Sequence, residues 1–211
     1  MNNHSTNNEN LRDLLSDQAD LITMYVGNLE SYQGIDLLLQ SFSLSVQQAI
    51  RADLFIIGGE QGDIEKYQRL TQRLGITERV HFLGPRSVKS LSYYLGQADI
   101  LVSPRIKGRN TPMKIYSYLG SGRAVIATNL ETHTQVLNPS LAMLVEPDPT
   151  SFAQGLIELS SNHHLRQTLG NAGQKMIHEN FSLEAFTKRA NNLLDWVEKT
   201  LNQDVPSTAN S

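Results

Sequence analysis

The sequence predicts a doubly wound α/β domain, a mainly parallel β-sheet with helices packed on both faces. Two observations carry this reading. Short apolar runs with almost no polar alternation recur along the chain, as strands covered on both faces require. The segments between them repeat apolar residues every three or four positions, as helices with one buried stripe do. Regular alternation of the two patterns points to parallel strands joined by helical crossovers.

Residues 21–26 (LITMYV) read as the first strand. Leu38, Phe42 and Val46 then recur at four-residue steps in a helix expected over 35–50. Further strands are expected at 54–58 (LFIIG), 80–83 (VHFL), 100–103 (ILVS), 124–127 (AVIA) and 142–145 (AMLV). Helical spacing fills 64–74 and 88–95, and a helix begins at Thr111-Pro112, where threonine caps and proline takes the first helical position. Three helical stretches close the chain, at 151–160, 165–178 and 183–200. In the last, Leu183, Phe186, Ala190, Leu193, Val197 and Leu201 form a continuous stripe beside Trp196. That stripe either packs on the domain's own sheet or waits for a partner. The polar stretches 1–18 and 202–211 read as disordered tails around a domain at 19–201.

Composition narrows the function. With 18 basic and 21 acidic residues the net charge is −3, so the chain as a whole has no electrostatic attraction for nucleic acid or an anionic membrane. It holds no cysteine, which excludes disulfides, thiolate metal sites and cysteine nucleophiles. No apolar stretch reaches the length of a membrane span, and the first twenty residues lack the core of a signal peptide. The expectation is a soluble, cytoplasmic protein.

In sheets of this class, ligands sit beyond the carboxyl ends of the strands. Residues 100–129 pass through that region twice and hold Arg105, Lys107, Arg109, Lys114 and Arg123 without one carboxylate. Cations gathered around a helix start suit a phosphate group, since the helix presents unpaired N–H groups there; the alternative is a solvated basic loop. The loop at 27–34, with Gly27 and Gly34 at its ends, allows close backbone approach but matches neither a Walker loop nor a dinucleotide fingerprint. Among the histidines, only His133 falls near the expected cleft; His81 lies within a strand as a packing residue, and no metal-ligand spacing is present.

These residues together resemble a known family. YVGNLESYQGIDLLLQSF (25–42), VHFLGP (80–85), LSYYLGQADILVSP (91–104), TPMKIYSYLGSGRAVIATN (111–129) and HENFSLEAF (178–186) are similar, in order and spacing, to landmarks of the C-terminal half of GT-B glycosyltransferases of the retaining group called family 4. The resemblance implies a Rossmann-like domain that binds a nucleoside-diphosphate sugar as substrate, with no metal or other cofactor. It implies diphosphate and sugar contacts at Gly27, Asn28, Gln33, Arg105, Arg109, Asn110, Thr111 and Lys114, a ribose contact at Ser117, and base contacts at Gly84 and Arg86. A separate N-terminal domain would bind the acceptor, so this chain alone is expected to be inactive.

Several positions depart from the family pattern. Asn28 and Gln33 stand where an arginine and a lysine usually meet the diphosphate, and Ser117 stands for a ribose-binding glutamate. A second glutamate maps to Arg109 or nearby. One reading is that the basic cluster replaces the lost cations from the opposite wall. The other is a catalytically inactive interaction or regulatory protein on a degenerate half. A nucleotide-sugar epimerase, of related fold, is a third and lacks a locatable acid/base.

Overall fold

In the computed structural model, which describes residues 9–203, six strands form one sheet: β1 (Leu21–Val26), β2 (Ala52–Ile57), β3 (Val80–Gly84), β4 (Ile100–Ser103), β5 (Ala124–Thr128) and β6 (Met143–Val145). Their order is β3-β2-β1-β4-β5-β6 and every neighbouring pair is parallel. The helices are α1 (Ile35–Gln47), α2 (Gln61–Leu74), α3 (Leu91–Gln97), α4 (Lys114–Gly120), α5 (Glu131–Thr134), α6 (Pro149–Ser161), α7 (His163–Phe181) and α8 (Leu183–Gln203).

Side chains alternate across a strand, so a central strand needs apolar residues at both parities. In β2, Leu54 and Ile56 enter the core under α1, α2 and α6, with Phe42, Phe152 and Leu156. Phe55 and Ile57 enter the opposite core under α3, α4 and α7, with Leu95, Tyr118 and Val125. The unalternated runs in the sequence are the mark of this double burial.

The chain winds outward from β1 in one direction and from β4 in the other, which places a crevice between their carboxyl ends. The two strands pair at Thr23↔Ile100 and Met24↔Leu101. Beyond that point they part, and the Val26 amide donates to the Tyr118 hydroxyl of α4 at 2.8 Å.

The amino-terminal segment corrects an expectation. Residues 1–8 and 204–211, read as tails, lie outside the described residues. Residues 11–14, read as part of the same tail, form a 3-10 turn whose Leu11 is fully buried in the core under α3. The Leu11 amide donates to Gln97 Oε1 at 2.7 Å, and Arg12 pairs with Asp99 at 2.8 Å. A polar, Asn-rich flank hid one well-buried leucine. Leu11→Ala is expected to cost about 2 kcal/mol, less than for a central core leucine because this strap can loosen alone; a thermal melt of the variant checks it.

The strap ends at a buried ionic cluster. Asp53 of β2, wholly buried, pairs with Arg79 at 2.6 Å and with His81 Nε2 at 2.9 Å, and accepts from the Ser16 amide and hydroxyl at 2.7 and 2.9 Å. Burial alone would raise the Asp53 pKa; the bonds from His81, Ser16 and Arg79 outweigh it and hold the carboxyl below its ordinary range. His81, expected as a packing residue, also stacks on Phe55 with centroids 4.4 Å apart.

At the other terminus, α8 does not lie on the sheet. Leu183, Leu193 and Val197 of the expected stripe are exposed, and the helix meets α7. The reading that the stripe packs on this domain's own sheet is thereby overturned for these three residues. The side chains of Phe186 and Leu201 lie outside the described residues. No described helix is long and apolar enough to cross a membrane.

Candidate functional site

Two loops build the crevice at the switch between β1 and β4. The first leaves β1 at Gly27 and enters α1 at Gly34; the second leaves β4 at Ser103 and enters α4 at Lys114. They are joined by backbone. Gly34 has a φ of 77°, and a side chain there would collide with the Pro104 carbonyl, so glycine is required for the approach. The Ile106 amide completes the junction with a bond to the Tyr32 carbonyl at 3.0 Å.

Lys114 spans this junction. Its ammonium lies 3.2 Å from Gln33 Oε1 and 4.1 Å from the centroid of the Tyr25 ring. It passes so close over Gly27 that a Cβ there would sit 2.9 Å from Nζ. Lys114 thus carries charge from α4 to the loop in which Asn28 and Gln33 are neutral. No described carboxylate pairs with it. Burial, followed by repulsion from Arg105, lowers its pKa from 10.5 to about 7.

Arg105 is the second inward cation. Its guanidinium donates to the carbonyls of Lys107 at 2.7 Å and Asn110 at 3.1 Å, and lies 5.2 Å from the Tyr32 ring centroid. It shapes its own loop while adding positive potential beside Lys114. The floor beneath is neutral. His133 of α5 is fully buried, with Nε2 2.8 Å from Ser103 Oγ and Nδ1 2.9 Å from the Thr128 carbonyl. Burial pushes its pKa down to about 4; the Thr128 bond opposes that shift, and Lys114 and Arg105 add to it. The Thr128 hydroxyl in turn donates to the Arg105 carbonyl at 2.6 Å. His133 therefore supports the loop and does not face the crevice.

The expected residues divide accordingly. Gly27, Gln33, Arg105 and Lys114 come together. Asn28 is exposed at the rim, its amide turned to Glu30 at 2.7 Å. Arg109 and Asn110 are exposed on the second loop. Thr111 does not cap the helix: its hydroxyl donates to Gln135 Oε1 at 2.9 Å, the cap position falls on Met113, and α4 starts after a turn closed by the Ile115 amide on the Pro112 carbonyl. The seven-residue helix leaves the Met113 and Lys114 amides without partners among the described residues, at the edge of the crevice.

Ser117 lies in a different groove, with Val88, Leu91 and Leu95 between α3 and α4. Gly84, at φ 68°, accepts from the Gly58 amide at 2.9 Å. Arg86 is committed: it donates to Tyr94 at 3.2 Å and to the Leu83 carbonyl, and pairs with Glu9 at 2.8 Å. Its guanidinium is spent holding the strap to the loop after β3. Arg123 stands at the opposite end of the sheet, before β5, on the Gly96 carbonyl.

Sequence reasoning missed Tyr25 and Tyr32, whose rings seat the two inward cations, and Gln135, which bonds the Arg109 carbonyl at 3.0 Å as well as Thr111. It also missed an adjacent cavity of about 480 Å³ beyond Gly27, lined by Glu30, Glu60 and Asp63. The signal for the tyrosines was their position, one inside the end of β1 and one before Gly34. The carboxylates come from separate loops and share no local pattern. Among the described residues no three His, Asp or Glu are grouped to hold a metal.

Residues 20–162 match the family model described as glycosyl transferases group 1. Over 156 residues the chain is 28% identical to the D-inositol 3-phosphate glycosyltransferase of Corynebacterium diphtheriae, covering 71% of this chain and 36% of that protein. Over 154 residues it is 26% identical to the phosphatidyl-myo-inositol mannosyltransferase of Mycobacterium tuberculosis, covering 70% of this chain and 40% of that one. The chain thus spans well under half the length of these relatives. Among solved structures, Anabaena HepE in complex with UDP and glucose superposes with a TM-score of 0.75 at 16% identity, over 88% of this chain and 50% of that one. The C-terminal domain of the group 1 protein LpcC from Francisella tularensis gives 0.70 at 18% identity, over 83% of this chain and 94% of that domain. At these identities the structural matches establish the fold, a C-terminal GT-B half.

Proposed function

Because the chain belongs to the glycosyl transferases group 1 family, we propose that it is a donor-binding half that holds a nucleoside-diphosphate sugar with its diphosphate against Lys114. The observation that carries this reading is the position of the Lys114 ammonium over Gly27 and beside Gln33. The β1–α1 loop has lost its own cations, and α4 supplies one from across the crevice. Arg105 adds potential, and the free Met113 and Lys114 amides offer neutral donors. Glu30, Glu60 and Asp63 line the neighbouring cavity and would repel phosphate, so they orient the diphosphate towards the Lys114 side.

In transfer, these groups would stabilise the leaving diphosphate without a metal, as preorganised donors do in a dry site. The half-length match to the relatives and HepE's complex with UDP and glucose support a second wall, supplied by an acceptor domain in the same or another polypeptide. Transfer itself is expected only with that wall present, since donor and acceptor must be held in reactive geometry away from water.

Calorimetric titration with UDP, GDP and ADP tests the reading. Saturable binding to at least one is expected, and absence of binding at millimolar ligand sinks it. Arg109→Ala, which removes an exposed cation, is expected to weaken binding about two- to fivefold, with the effect vanishing at high salt. The exposed Leu183, Leu193 and Val197 favour a second reading, a non-catalytic interaction protein. It would show itself as partner binding without nucleotide affinity.

A further inference from the structure

Resting on the reading of the crevice as a diphosphate pocket, we propose that Lys114 takes up a proton as the anion binds, making this a proton-coupled anion site. The geometry carries the idea. An ammonium needs acceptors for three N–H groups, and the protein gives Lys114 one, Gln33 Oε1 at 3.2 Å. Its side chain is half-buried, and the other protein groups against it are a ring face at 4.1 Å and the bare backbone of Gly27.

The titratable groups around it come from every adjoining element, and none is an anion paired with it. Tyr25 of β1 and Tyr118 of α4 are pushed up by burial and stay protonated. Tyr32, from the loop before α1, presents its ring to Arg105. Arg105 is a permanent cation. His133 of α5 is held neutral, at about 4. The carboxylates nearby, Glu30, which accepts from Asn28, and Glu60 and Asp63 across the cavity beyond Gly27, form no ion pair with Lys114. Burial and the charge of Arg105 therefore oppose the charged form of Lys114, and no carboxylate pairs with it to offset them.

A diphosphate reverses that balance. It supplies both the missing acceptors and the missing negative charge, each of which favours the ammonium. With its pKa lowered to about 7 in the free protein, most Lys114 side chains are neutral at pH 8. Binding then draws in most of one proton per site. Affinity should fall as pH rises above 7, by up to about tenfold per unit, until the pH passes the lysine's pKa in the complex.

The test is calorimetry of the full chain with UDP at pH 8, in two buffers of different ionisation heat. At that pH the terminal phosphate of UDP, with a second pKa near 6, is already ionised and contributes no proton. The wild type should take up well over half a proton. Lys114→Arg, charged throughout, should bind with uptake near zero. Binding whose heat is the same in both buffers overturns the inference and leaves the diphosphate reading standing. Uptake that persists in Lys114→Arg overturns it as well, by assigning the proton to another group. Absence of UDP binding overturns both. Should Lys114→Arg fail to fold, the wild-type dissociation constant at pH 7 and pH 9 decides: weakening of tenfold or more supports the inference, and a flat profile sinks it.

Discussion

Replacing Lys114 by methionine is expected to weaken UDP binding about ten- to a hundredfold while leaving the fold no less stable. The binding loss follows from removing a charge-assisted contact, worth about 1.5–3 kcal/mol. The stability result has the opposite sign from that of most buried substitutions. Lys114 has one neutral acceptor, no carboxylate partner and a repelling neighbour in Arg105, so its charged form burdens the folded state. Between its folded pKa of about 7 and its unfolded value of 10.5, the unfolded chain binds more protons. Wild-type stability from this group therefore rises with pH across that window, and the full burden is present below pH 7. Methionine removes the burden, so the gap between variant and wild type should be widest in mild acid and close by about pH 10. Parallel denaturant titrations at pH 6 and pH 10, with calorimetry against UDP, measure both halves. A variant that binds UDP like the wild type would remove Lys114 from the site.

Asp53→Ala is expected to destabilise the domain by about 3–5 kcal/mol, a large share of the total for a domain of this size. The substitution leaves the Arg79 guanidinium buried without its carboxylate and strips Ser16 of the acceptor that anchors the amino-terminal strap. The pH slope has the same sign as that of Lys114, in a lower window, although here the charged form stabilises the fold. The folded pKa of Asp53 is depressed, so its contribution is present above the ordinary carboxylate range and is lost as pH falls through the depressed value. Urea melts at neutral pH give the magnitude. Asp53→Ala combined with Arg79→Met removes both charges and should recover part of the loss. A single-variant effect below about 1 kcal/mol would mean that the cluster is not the anchor described.

Much of the architecture was legible because it rests on local pattern. Runs such as 100–103 and 124–127 are apolar at both parities, and that pattern has few outcomes besides a sheet covered on two faces. Leu11 was illegible because a single buried leucine in an Asn-rich flank leaves no period to detect. The candidate site was half legible. The basic loop and its place at a strand end could be read, yet Lys114 and Arg109 looked equivalent there. What separates them is non-local: Gly34 meeting Pro104, and α4 starting at Lys114, turn one cation across the crevice and leave the other at the surface. Thr111 misled for a similar reason. Its hydroxyl found Gln135, twenty-four positions along the chain, in place of the helix beside it.

The parting of β1 and β4 is held by a phenol. Where the sheet unzips after Met24↔Leu101, the Tyr118 hydroxyl takes the Val26 amide that the neighbouring strand no longer serves. The mouth of the crevice is thus gauged by the length of one side chain anchored on α4, the helix that also carries Lys114. Any motion that draws α4 away from the sheet must tug the end of β1 with it. The cation and the backbone it overhangs therefore travel as one jaw.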